Sequence, residues 1–163
     1  MKVIFFDSKT YDKESFTKEL VNYPDVEVKF LKTELTVNTA ELAHGYDAVC
    51  AFVSADICDE TFDILPECGV KFILLRCAGF NNVDMDTAKK YGIKVYRVPG
   101  YSPEAVAEHA MALALAVNRH LHKAYVKVRE NDFSLNGLMG MNFHGKTAGI
   151  IGTGKIGAAM ARI

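Results

Sequence analysis

Thr147-Ala-Gly-Ile-Ile-Gly152-Thr-Gly154-Lys-Ile-Gly157-Ala-Ala-Met-Ala-Arg-Ile163 is the most informative stretch of this sequence. A β-branched run, Thr147 to Ile151, leads into Gly152-x-Gly154-x-x-Gly157, and small apolar residues then open a helix. The pattern reads as strand, tight turn and helix start, the local structure that cradles a dinucleotide pyrophosphate. The first glycine permits the turn and the second lets the backbone approach the phosphates. The third lets helix and strand pack closely, while the helix N-terminus supplies free N–H groups and a positive dipole.

Working back from that turn, the first hundred residues alternate between short apolar runs and amphipathic segments. Strands are expected at Lys2–Phe6, Val26–Leu31, Asp47–Val53, Val70–Leu75 and Ile93–Val98, the second of them half-buried or at an edge. Helices are expected at Tyr11–Tyr23, at Thr36–His44 ended by Gly45, at Asp59–Cys68 interrupted by Pro66, and at Asp84–Tyr91 closed by Gly92. This rhythm implies right-handed crossovers and a flavodoxin-like, doubly wound parallel sheet. Ligands of such sheets lie beyond the carboxyl ends of the strands, in the loops after Phe6, Val53, Leu75 and Val98.

Pro99-Gly100-Tyr101-Ser102-Pro103 breaks the rhythm and divides the chain into residues 1–101 and 102–163. Ser102 is placed to cap a helix with Pro103 at its first position and Glu104 in its first turn. From Ala105 to Val117 only Glu108 and His109 are polar, so that helix is expected to be covered on several sides, with His109 a hydrogen-bonded core histidine. The turns from Asn118 to Asn131 are more polar, and Asp132–His144 reads as loop. His120, His122 and His144 read as solvated.

Composition narrows the function classes. The 163 residues carry 19 basic and 20 acidic side chains, for a net charge of −1, and no basic stripe suggests nucleic acid. No segment approaches the roughly 18 apolar residues of a membrane span, and the N-terminus reads as a first strand rather than an export signal. Cys50, Cys58, Cys68 and Cys77 form no metal-binding spacing, so no metal is expected, and reduced thiols fit a cytoplasmic protein.

A second stretch, Arg76-Cys77-Ala78-Gly79-Phe80-Asn81-Asn82-Val83-Asp84, follows a buried strand and precedes a helix start. Ala78 and Gly79 leave backbone N–H groups open to an anion. Asp84 can cap the following helix, Cys77 reads as a packing residue, and Tyr101 lies at the boundary, where a phenol could reach a ligand or simply pack. A phosphoacceptor receiver domain would need an aspartate after the third strand, where Ala51-Phe52-Val53 stands instead.

This second stretch, together with Val98-Pro99-Gly100-Tyr101-Ser102-Pro103-Glu104-Ala105-Val106-Ala107-Glu108-His109-Ala110 and with the glycine turn read from Gly145-Lys146-Thr147 through Gly157, resembles the D-isomer-specific 2-hydroxyacid dehydrogenase family, and within it the D-lactate dehydrogenases. The resemblance covers essentially the whole chain. It implies a flavodoxin-like substrate domain over 1–101 and, from 102, the truncated start of a Rossmann NAD domain, with the active site between them. Ala78 and Gly79 would offer N–H groups to the substrate carboxylate, and Tyr101 would approach the substrate. Gly152, Gly154, Lys155, Ile156 and Gly157 would hold the NAD pyrophosphate, with Val106 near the nicotinamide. The region 103–145 would form a homodimer or larger homo-oligomer.

The chemistry so implied is NADH-dependent reduction of a 2-keto acid, pyruvate to D-lactate, and the reverse. The arginine, glutamate and histidine of that reaction match no position before Ile163, nor does the residue that reads the adenosine ribose. No catalytic residue is therefore assigned in this chain, and the 163 residues alone are expected to be inactive. The alternatives are another 2-hydroxyacid dehydrogenase of the family, or a non-catalytic paralogue that works by association. A lone strand cannot form a sheet, so Gly145–Ile163 is expected to pack against another chain.

Overall fold

Five apolar runs pair side by side in parallel to form one sheet. The computed structural model describes residues 1–163 and divides into two compact units, Met1–Tyr101 and Ser102–Ile163. In the first unit β1 (Lys2–Phe5), β2 (Glu27–Phe30), β3 (Ala48–Ala51), β4 (Phe72–Leu75) and β5 (Lys94–Tyr96) lie in the order β2-β1-β3-β4-β5. This is the flavodoxin-like order. Every pairing is parallel, with Ile4 opposite Val49 and Val49 opposite Ile73 in the middle of the sheet.

Burial follows position. Central β3 is buried along its whole length, whereas β2 alternates exposed and half-buried, as befits an edge strand carrying Glu27 and Lys29. One face of the sheet presents Ile4, Phe6, Val49, Ala51, Ile73 and Leu75 to the larger core, which is closed by α2 (Asp59–Ile64), α3 (Met85–Lys90) and a 3-10 turn at Ala40–Ala43. The other face presents Val3, Phe5, Ala48 and Cys50. There α1 (Thr10–Leu20) brings Phe16 edge-on to Phe5, ring centroids 5.0 Å apart.

The expected helix over 36–44 is thus a single 3-10 turn. Thr39 accounts for this: its hydroxyl donates to the Glu34 carbonyl and accepts from the Thr36 N–H. These local bonds compete with helix for the same backbone groups. At α3 the expected cap is present, the Asp84 carboxylate accepting from the N–H groups of Asp86 and Thr87.

The second unit holds α4 (Pro103–Asn118), α5 (Leu121–Arg129) and α6 (Lys155–Arg162). Ser102 caps α4 as the sequence suggests, its hydroxyl accepting from the Ala105 N–H. Packed against α4 is α6, and Ala107 and Ala159 are the only buried side chains of this unit. Two expectations fail here. Helix α4 is not covered on several sides: Val106, Leu113, Leu115 and Val117 are 44% to 65% exposed and His109 is exposed, because α5 and α6 supply too little surface to enclose it. Thr147–Ile151 is not a strand, since no strand within this unit offers it a partner, and Ile151 is fully exposed.

Candidate ligand loop and glycine turn

In the first unit the site-bearing loop runs from Arg76 to Asn82, at the carboxyl end of β4. It is tethered at both ends. Arg76 Nη1 donates to Asp12 in the first turn of α1 at 2.9 Å, and Nη2 donates to the carbonyls of Phe6 and Asp7 at 3.0 and 3.1 Å. Its guanidinium also sits over the rings of Phe5 and Phe52, at 4.4 and 4.9 Å from their centroids. The buried Nε has no hydrogen-bond partner. At the far end, Asn82 Nδ2 donates to the carbonyls of Phe52 and Ala55.

Between these anchors, the N–H groups of Ala78 and Gly79 donate to no protein acceptor. Gly79 is exposed, and a Cβ built on it would meet no atom within 4 Å. Two unused donors thus stand side by side next to an uncrowded glycine, an arrangement that suits a carboxylate. Cys77 is buried, as a packing residue should be, and its thiol donates to the Gly79 carbonyl.

Beside this loop the sequence reading missed Asp7. This residue follows β1 with φ +49°, a left-handed conformation that costs energy for a side chain bearing a Cβ. Several bonds hold it there. Its N–H donates to the Thr33 carbonyl, and its own carbonyl accepts from Arg76. Its carboxylate accepts from Lys9 Nζ at 2.6 Å and from the Ser54 hydroxyl at 3.3 Å. The Lys9 hydrogen bond holds the Asp7 carboxyl below its ordinary pKa, against the upward push of burial. Loops after β1, β3 and β4 are thereby joined through Asp7, Ser54 and Arg76. Arg76 opens a motif, but Asp7 and Ser54 belong to none, and the contacts that join the three are long-range.

In the second unit Gly152 has φ +95°, a conformation open chiefly to glycine. Gly154 is the N-cap of α6, its carbonyl accepting from the Ala158 N–H. A Cβ on Gly157 would stand 1.9 Å from the Gly152 carbonyl oxygen, so only glycine allows this turn to close on the helix. Lys155 and Ile156 occupy the first turn of α6, where their N–H groups have no protein acceptor. The tight glycine turn and the helix start that the sequence suggests are both present, without a paired strand before them. Val106 is exposed on α4, and Tyr101, at the end of the first unit, is 68% exposed. No cluster of three or more His, Cys, Asp or Glu could hold a metal ion, and no helix is long and apolar enough to cross a membrane.

The chain is similar to known proteins. The chain is 50% identical over its whole length to the D-lactate dehydrogenase of Escherichia coli (strain K12), covering 49% of that protein. It is 48% identical to 2-hydroxyacid dehydrogenase homolog 1 of Schizosaccharomyces pombe, again covering 48% of its length. Among solved structures, the apo form of the Escherichia coli D-lactate dehydrogenase matches with a TM-score of 0.90 at 49% identity, over 99% of this chain and 51% of that one. The D-lactate dehydrogenase of Aquifex aeolicus, complexed with NAD and lactic acid, matches with a TM-score of 0.77 at 29% identity, over 98% and 47%. The chain thus spans about half the length of the curated relatives it matches. The catalytic-domain description of one family fits residues 3–158, and by that match the chain belongs to the D-isomer specific 2-hydroxyacid dehydrogenases.

Proposed function

We propose that this chain supplies the substrate-binding unit and the opening of the cofactor unit of an NAD-dependent D-lactate dehydrogenase that interconverts pyruvate and D-lactate. The observation that carries the reading is the loop after β4, where two neighbouring N–H groups have no protein acceptor and a Cβ on Gly79 would meet no atom. A 2-keto acid carboxylate would accept from Ala78 and Gly79, and Tyr101 would approach the same ligand. Within this chain the fixed backbone donors would orient the acid by geometry.

The glycine turn fits a dinucleotide, with Gly152, Gly154 and Gly157 shaping the approach and the N–H groups of Lys155 and Ile156 meeting the pyrophosphate. Val106 would lie near the nicotinamide. When bound, NADH supplies the hydride for the carbonyl carbon. The proton donor and the carboxylate-binding arginine match no residue of this chain, so residues 1–163 alone would bind without turning over. The exposed apolar side of α4 would be covered in a homodimer or larger homo-oligomer through 103–145, and Thr147–Ile151 would pair in a larger sheet. The setting would be the cytoplasm.

Amide NMR of the 163-residue chain tests this. Pyruvate should shift the Ala78 and Gly79 resonances saturably, and NAD those of Gly152 to Gly157, with no pyruvate-dependent oxidation of NADH. Turnover by this chain alone would overturn the assignment of the acid and arginine elsewhere. Carboxylate binding that bypasses Ala78 and Gly79 would overturn the assignment of the loop.

A further inference from the structure

Three consecutive carbonyls of the ligand loop are each held from behind. The Cys77 carbonyl accepts from the Val98 N–H at 3.1 Å, the Ala78 carbonyl from Arg97 Nη1 at 2.6 Å, and the Gly79 carbonyl from the Cys77 thiol at 3.2 Å. Every peptide here is trans. In a trans peptide the C=O of one residue and the N–H of the next point in opposite directions. Fixing those three carbonyls therefore fixes the outward direction of the N–H groups of Ala78, Gly79 and Phe80, none of which has a protein acceptor.

The Ala78 tie is the shortest of the three. Its donor is a charged guanidinium, and charge-assisted bonds are shorter and stronger than neutral ones. A carbonyl that accepts such a bond also polarises its own peptide, making the N–H on the opposite side a better donor. Arg97 is itself steadied by the Phe80 ring, whose centroid lies 5.0 Å from the guanidinium carbon. The side chain leaves the chain just after β5, so a residue outside the loop sets the angle of the peptide at its centre.

We propose that Arg97 is a positioning residue: by gripping the Ala78 carbonyl it aims the Gly79 N–H at the substrate carboxylate. The aim of the peptide stands on this geometry, while its use by a carboxylate rests on the functional reading above. Arg97 touches loop backbone rather than ligand, and it acts through the peptide it holds.

The test separates the two parts. In the 163-residue chain without ligand, residual dipolar couplings report the direction of each amide N–H. Arg97→Met should change the Gly79 coupling while those of Ile73 and Val83, on either side of the loop, keep their values. Arg97→Lys, which can still donate to the Ala78 carbonyl, should restore it. An unchanged Gly79 coupling in Arg97→Met would overturn the positioning role, whatever happens to binding. With pyruvate added, Arg97→Met should weaken the saturable shift at Gly79 by about tenfold, and Arg97→Lys should recover most of that loss. If wild-type chain shows the ordered Gly79 amide but no pyruvate response there, the functional reading fails while the positioning role stands. Equal pyruvate affinity in Arg97→Met and wild type would overturn the link between the two.

Discussion

Arg76 Nη1 stands 2.9 Å from Asp12 Oδ2, and both side chains are only 11% exposed. The pair ties the carboxyl end of β4 to the first turn of α1, across 64 residues of sequence. Asp12 also accepts from the Lys9 N–H, so one carboxylate both closes the start of α1 and neutralises the guanidinium beneath the ligand loop.

Replacing Asp12 with Ala leaves that guanidinium largely buried without its counter-charge. Loss of one partner of such a pair costs about 3 kcal/mol, and urea unfolding of the whole chain should show a loss of that order. Arg76→Met with Asp12→Ala together should cost less than the sum of the singles. Strictly additive losses would show that the two side chains act independently.

The two site glycines should fail in opposite ways. Gly157→Ala would push a methyl group against the Gly152 carbonyl, so the turn must open and α6 must shift. We expect a stability loss of about 1–3 kcal/mol, with faster hydrogen exchange confined to Ser102–Ile163. A Gly79→Ala methyl group meets nothing, so the fold should melt as wild type does while pyruvate binding falls about tenfold from crowding of the ligand. Circular dichroism melts and amide titrations of both variants check this contrast.

Acid should weaken the fold through three carboxylates. The pKa of Asp7 is lowered first by its Lys9 hydrogen bond, that of Asp84 by the Thr87 N–H, and that of Asp132 by Lys127. A carboxylate with a depressed folded pKa contributes fully above its unfolded pKa, about 4, and loses that contribution as pH falls through the folded value. The urea midpoint should therefore drop between about pH 5 and pH 2. Asp84→Asn keeps a capping oxygen but cannot titrate, so its acid limb should be shallower, whereas Asp84→Ala should melt lower at neutral pH. An acid limb identical in Asp84→Asn and wild type would refute the role of Asp84.

Helix α4 leaves Val106, Leu113 and Val117 in solvent, at positions that share one side of the helix. Sedimentation velocity should find the chain self-associated at micromolar concentration, and Leu113→Ser with Val117→Ser should shift it toward monomer. A wild-type chain that stays monomeric at high concentration would remove 103–145 as a self-association surface.

What could be read in advance was local. The alternation of apolar runs gave five strands, and Asp84 and Ser102 announced themselves as caps by residue type and position. What escaped was long-range or depended on a neighbour. Asp12 looks like one more polar residue on an amphipathic helix, and Arg97 like a charged residue at a strand end. Their roles exist only because the sheet brings Arg76 and Ala78 to them. Thr147–Ile151 has the composition of a strand, but a strand is completed by its partner, and the same is true of the apolar surface of α4.

The last strand of the sheet has only three residues, Lys94–Tyr96, and it lies at an edge. Arg97 and Val98, which hold the Ala78 and Cys77 carbonyls, follow it directly. Short edge strands fray first. Each time β5 lifts away, the loop loses two of its three ties together, and two N–H groups swing free. The opening rate of the sheet's weakest strand would then govern how often the loop is ready for a ligand, so hydrogen exchange at Lys94, whose N–H donates to the Lys71 carbonyl, and the pyruvate association rate should rise or fall in concert.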